Sequence, residues 1–211
     1  MLVAVRIVLL ILCFGFFNVV EGAEDDLPSG VQNSQNPKDV SLTPEESLNK
    51  MTVPAGFKVT LFAGEPDLRR PIAFDFDDRG RLWVVENYSH PKWNADNKMD
   101  RVLILEDADH DGRFDKRTVF WDQGRYLSAI AVGHGGVWLG NSPDLIFIPD
   151  KDRDDVPDGE PQVILDGFCH DSTENVLNNF HWGPDGWLYG ALGQNNESRV
   201  GKPGTADEER V

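Results

Sequence analysis

From Pro54 onward the apolar residues fall in short runs with a period of two, rich in β-branched and aromatic types, as in Phe57-Lys58-Val59-Thr60-Leu61 and Val102-Leu103-Ile104-Leu105. Period two is the signature of strands, and no sustained 3.6-residue pattern returns, so the body of the chain is predicted to be all β. Asp/Gly turns separate the runs. One exception precedes them. Thr43-Pro44-Glu45-Glu46 sets a capping hydroxyl before a proline suited to a first helical turn, with Glu46 placed to reciprocate. The pattern predicts one short helix to about Met51, with residues 43–56 forming the helix and its lead-in. Residues 23–42 hold few large apolar groups among Asp, Ser, Gln, Asn, Pro and Gly, too little to offset ordering entropy, and read as a flexible linker.

Internal repetition selects among all-β architectures. The stretch from Ala73 to Trp83 returns as Ser128 to Trp138, with Asp75 matched to Ile130, and returns again as Asn179 to Tyr189. Trp83, Trp138 and Tyr189 lie 55 and 51 residues apart, close to the roughly 40 to 50 residues plus loop insertions of a four-stranded propeller blade. After each of the first two copies a second hairpin follows, Val102 to Trp121 and Leu145 to Leu165, bent at an acidic loop. Residues 57–211 are therefore expected to form an incomplete β-propeller of about two and a half four-stranded blades. A closed ring at this period needs on the order of 200 to 350 residues, so the chain is expected to be a fragment or a truncated reading frame. Phe74, Phe76, Phe180 and Trp182 read as alternating strand core.

The first residues bear on the compartment. Arg6 precedes an apolar run from Ile7 to Phe17, followed by small residues at Gly22 and Ala23. Residues 1–22 read as a secretory signal peptide, with an apolar core shorter than the ~20 residues of a membrane span. The mature chain is expected to be secreted, periplasmic or held at the cell surface, with no stable membrane span. Its removal takes Cys13 and leaves Cys169 alone, so an intrachain disulfide is excluded; Cys169 reads as a small buried hydrophobe. A net charge of −16 excludes a nucleic-acid partner, which would ask for clustered Lys and Arg.

The carboxylates are bunched. Asp107, Asp109, Asp111 and Asp115 recur in the same spacing as Asp150, Asp152, Asp154 and Asp158. Alternating carboxylates around a tight turn converge on one point, and hard oxygen ligands suit Ca²⁺. Gly112 permits the sharp turn in the first loop, and Asp155 stands in its place in the second. Thr118 and Pro161 occupy position twelve, so these are calcium hairpins between strands and not EF-hands. The plainer alternative is a solvated acidic turn. Against it, carboxylates held so close without a cation cost ~1 kcal/mol or more per pair even in high dielectric.

In an up-and-down blade the Gly turns and the acidic loops share one end. The opposite end should hold a ligand pocket, with Arg70, Glu86, Asn87, Asn141, Asn178 and Gln194 as binding candidates. A general base would come from His90, His170 or His181, although an idle exposed histidine is the ordinary reading of the first two and a satisfied interior one of the third. No phosphate loop, zinc spacing or serine nucleophile elbow occurs.

Five segments carry a resemblance: Pro54-Ala55-Gly56-Phe57, Phe62-Ala63-Gly64-Glu65-Pro66, Pro71-Ile72-Ala73-Phe74-Asp75, Gly80-Arg81-Leu82-Trp83-Val84-Val85-Glu86 and Trp182-Gly183-Pro184-Asp185-Gly186-Trp187-Leu188-Tyr189-Gly190. Together they resemble the N-terminal propeller of the membrane-bound-dehydrogenase-type, haem-binding proteins of planctomycetes. That propeller is in turn similar to soluble quinoprotein glucose and sorbosone dehydrogenases. The resemblance implies an oxidoreductase acting on sugars or alcohols, with pyrroloquinoline quinone, calcium and a cytochrome-type electron acceptor. This chain lacks Cys-x-x-Cys-His, so haem is not expected in it, and Thr173-Glu174-Asn175 stands where relatives carry a histidine. Two alternatives remain open on the same scaffold: a calcium-stabilised module that binds carbohydrate or protein without chemistry, and a lactonase-like hydrolase.

Overall fold

The computed structural model describes residues 40–91, 93, 94, 96, 98–171, 175–193 and 197–211. The expected leader, the linker up to residue 39 and the binding candidate Gln194 lie outside the described residues. Of the unit 1–41 only residues 40 and 41 are described, and everything below concerns the unit Leu42–Val211.

The helix forms where the capping signal sets it. In α1 (Pro44–Lys50) the Thr43 side chain accepts from the Glu46 N–H at 3.2 Å, and the Glu46 carboxylate accepts from the Thr43 N–H at 2.8 Å. This reciprocal box satisfies two amides that a helix start would otherwise leave without partners.

Among the described residues ten strands follow in three antiparallel sheets. The first is β1 (Pro71–Phe76), β2 (Leu82–Glu86), β3 (Asp100–Glu106) and β4 (Lys116–Gly124), hydrogen-bonded in that order. The second repeats it as β5 (Leu127–Val132), β6 (Gly136–Asn141), β7 (Asp144–Pro149) and β8 (Gln162–Leu165), and β9 (Asn178–Trp182) pairs with β10 (Leu188–Ala191). The leading strands lie side by side, with β5 against β1 on one flank and β9 on the other. Meandering sheets set with their leading strands around one axis make two propeller blades and the first hairpin of a third.

The ladder corrects the sequence equivalences. Trp83 pairs with Asp75 and Tyr189 with His181, but Trp138 pairs with Ala131 and not with Ile130. The second Gly turn is one residue shorter: Val132 meets Val137, whereas Phe76 meets Leu82 and Trp182 meets Leu188. Ile130 thereby turns into the main core. That core is the seam between the first two sheets, built from Trp83, Val85, Val102, Ile104 and Phe120 on one side and Leu127, Ile130, Val137, Leu139, Ile146 and Ile148 on the other. A smaller cluster of Leu145, Phe168 and Leu177, with Phe180 against it, seats the third hairpin.

Other expectations are corrected. Phe57–Leu61 forms no strand; Phe62 beside it accepts one backbone hydrogen bond, from the Phe114 N–H at 3.3 Å, and no ladder extends from it. Phe74 and Phe76 are not core: they stand 66% and 58% exposed on β1, and Ile72 beside them is exposed as well. Cys169 is half-buried rather than sealed.

Ile104→Ala should lower unfolding free energy by about 2–5 kcal/mol because it opens a cavity in the seam, while Phe76→Ala should change it by less than about 0.5 kcal/mol. Urea titration followed by tryptophan fluorescence measures both.

Candidate functional site

The two acidic loops adopt one conformation. His110 and Arg153, at the fourth position, have φ of 61° and 62°, and Gly112 and Asp155, at the sixth, have φ of 90° and 70°. The ninth-position Asp115 and Asp158 donate their N–H groups to Glu106 and Pro149 carbonyls at 2.7 and 2.8 Å, closing each loop alike. Their carboxylates accept from Ala108 and Lys151 N–H groups at 2.7 and 2.5 Å. Oxygens of Asp107, Asp109 and Asp115 lie within 4.8 Å of one another, as do those of Asp150, Asp152 and Asp158. Asp111 donates its N–H to Asp107 and Asp109, and its carboxylate accepts from Arg113, while Asp154 accepts from Val156. Asp150 is buried, and this pushes its carboxyl up; N–H groups of Asp154 and Arg153 oppose the shift, and the charges of Asp155 and Asp154 reinforce it.

The loops share an end with the Gly turns, as expected. Arg81 of the first turn reaches Asp77 at 2.8 Å and Asp155 of the second acidic loop at 2.7 Å. Arg79 donates to the Arg153 carbonyl at 3.1 Å, and Arg153 pairs with Asp78. Burial raises the Asp77 carboxyl, but the Trp83 indole N–H at 3.0 Å and the Arg81 backbone and guanidinium together hold it below the usual range.

At the opposite end two buried carboxylates act as pins. Glu86 accepts from the Arg69 N–H at 2.6 Å, the Tyr88 hydroxyl at 3.2 Å and the Arg101 guanidinium at 2.6 and 2.9 Å. Asp100 accepts from the N–H groups of Tyr88, Ser89 and Leu127, each at 2.7 Å, and from the Ser89 hydroxyl at 2.8 Å, with burial pushing its carboxyl up. Neither Asp100 nor the Arg81–Asp155 bridge was picked out in the sequence. A single acid heading the apolar run Val102–Leu105 was the available signal for the first; the second joins residues 74 apart and left none.

Between the leading strands lies a cavity of about 550 Å³, lined by residues of β1, β5 and β9 and by Asn87, His90, Tyr126 and Val176. His90 is exposed, its ring 6.4 Å from that of Tyr126, and its N–H donates to the Asn87 side chain at 2.8 Å. Asn87 is anchored by donating to the Leu127 carbonyl at 2.8 Å, and Asn178 to that of Val176 at 2.8 Å. Of the three histidines, His90 alone lines this cavity. His170 packs on Trp93 with ring centres 4.0 Å apart. His181 is exposed on β9, stacked on Tyr189 at 5.7 Å, and is not the interior residue expected from the repeat. Asn141 accepts from the Arg125 N–H at 2.8 Å in a separate hollow, and Arg70 is exposed, its carbonyl taking the Asn87 N–H at 3.1 Å.

A model of the family described as domain of unknown function (DUF7133) matches residues 43–210, from the helix cap to the penultimate residue. The chain belongs to this family. Comparison with curated proteins and with solved structures found no match. The match joins α1, both acidic loops and the cavity in one DUF7133 unit.

The depressed Asp77 carboxyl fixes a pH dependence for this DUF7133 domain. Its folded pKa lies below the unfolded value of about 3.9, so its contribution is complete above that value and is lost as pH falls through the folded one. Asp77→Asn should lower the melting temperature at pH 7 and flatten its decline between about pH 5 and pH 2, as read by circular dichroism melts.

Proposed function

We propose that this DUF7133 domain is an extracytoplasmic propeller module that holds a neutral sugar or other polyol in its axial cavity and is stabilised by calcium in its acidic loops. The carrying observation is the chemistry of the lining. Phe74 and Phe180 line it together with the amides of Asn87, Asn178 and Asn179, the Ser128 hydroxyl and the His90 imidazole, and among the described residues the lining contains no Asp, Glu, Lys or Arg. A polyol offers apolar C–H faces and a ring of hydroxyls, which is what aromatic walls with neutral donors and acceptors accommodate. The volume also falls within the roughly 300–1,000 Å³ usual for small-ligand sites. The exposure of Phe74 agrees with a wall awaiting a ligand. Export rests on the leader-like residues 1–22, and no helix among the described residues is long and apolar enough to cross a membrane.

A second reading, oxidation of a bound alcohol with electrons passed to a cytochrome-type acceptor, is favoured by one observation: His90 lines the cavity and is accessible to a substrate hydroxyl as a base. Pyrroloquinoline quinone itself is a tricarboxylate, and a lining without Arg or Lys among the described residues does not fit it.

Isothermal titration of neutral mono- and disaccharides should give saturable binding, weakened roughly two- to tenfold by His90→Ala, the loss of one hydrogen bond, and also weakened by Phe74→Ala. Sugar phosphates should bind no better than their neutral parents. Absence of heat with every neutral polyol at millimolar concentration would exclude the binding reading, and dye reduction with a bound alcohol that vanishes in His90→Ala would favour the second.

A further inference from the structure

We propose that the second acidic loop, 150–158, is the tighter calcium site, and that its ion rivets the first two sheets to each other. This rests on the calcium reading above and adds to it an order of affinity and a mechanical role. The glycine in the first loop makes that loop the better candidate on sequence, but the side-chain environments reverse the ranking.

In the first loop both oxygens of Asp107 are already engaged, accepting from the N–H groups of Asp111 at 3.1 Å and Gly112 at 2.9 Å. One oxygen of Asp109 and one of Asp115 are engaged likewise. In the second loop Asp150 is only 6% exposed, and its Oδ1 is sealed from solvent without a hydrogen-bond partner among the described residues. A buried carboxylate oxygen left unpaired is costly, and Asp150 belongs to the trio whose oxygens converge within 4.8 Å. A hard divalent cation among Asp150, Asp152 and Asp158 supplies the missing partner and screens the three charges together. Backbone N–H groups reach carboxylates in both loops, but the first loop has less to gain because neither oxygen of Asp107 is left without a partner.

The position of the second loop gives the ion its mechanical role. Asp155 and Arg153 of that loop hold Arg81, Arg79 and Asp78 in the β1–β2 turn, so an ion fixing the loop's shape also fixes its grip on the first sheet. The first loop lies instead against the lead-in, where Phe62 and Phe114 rings stand 6.5 Å apart.

Calcium titration of the full chain after chelation, read by calorimetry, should resolve a tighter and a weaker site. Asp150→Asn should weaken the tighter one at least tenfold, and the exposed Asp152→Asn should do the same without burdening the fold; Asp107→Asn should affect only the weaker. Hydrogen exchange of the amides at 77–81 should slow at least tenfold on adding calcium, and Asp150→Asn should abolish that slowing. Loss of the tighter site in Asp107→Asn, or in neither loop's variants, overturns the ranking. Calcium binding with exchange at 77–81 unmoved overturns the rivet and leaves the calcium reading standing, whereas magnesium binding as tightly overturns calcium as the ion. No uptake by the wild-type chain at millimolar calcium refutes both.

Discussion

The apolar seam between the first two sheets is the contact on which everything else in this molecule is placed. Eleven buried side chains meet there, and full burial of each large one contributes about 1.5–3 kcal/mol relative to exposure. Burial alone is non-directional and leaves the sheets free to slide. Trp83 and Phe120, both of the first sheet, meet edge-on at 5.0 Å and shape that sheet's face of the seam. Polar contacts at either end supply the register. With the sheets so held, β1, β5 and β9 come to line a common axis and the acidic loops come to share one end.

Those polar contacts divide the labour between the two ends. At the cavity end Asp100 takes the Leu127 N–H at the very start of β5, so the first sheet fixes where the second begins. Glu86 ties the approach to β1 to the head of β3 through Arg69 and Arg101. The acid–base groups of this end are thereby spent on architecture, and the described residues lining the cavity they frame include no Asp, Glu, Lys or Arg. At the loop end the same kinds of residue are partly unspent. Carboxylates outnumber the cations that reach them, and Arg81 alone bridges two.

Much of this was legible in the residues themselves. The tryptophan-bearing hairpins repeated because each sheet needs the same strand, tight turn and strand, and the acidic spacing repeated because each second hairpin closes through the same bend. The helix was readable from Thr43 and Glu46, whose interaction spans a single turn. What could not be read depended on partners distant in the chain. Phe57–Leu61 has the alternation of a strand but no ladder, and alternation does not reveal whether a neighbour exists. Phe74 has the alternation of core and instead walls a cavity. The displaced equivalence of Ile130 came from a turn one residue shorter, which shifts pairing without disturbing either strand's own pattern. The cavity joins residues from three repeats, so no single stretch displays it.

One residue on β5 joins all three sheets. The Val132 N–H donates to Asp75 of β1 at 2.8 Å, and its carbonyl accepts from the Trp182 indole of β9 at 3.0 Å. Its two polar groups therefore face opposite neighbours, one toward each side of the wheel. A disturbance that pries the third hairpin away pulls on the same residue that the first sheet holds, so the middle sheet works as a keystone that feels both its neighbours.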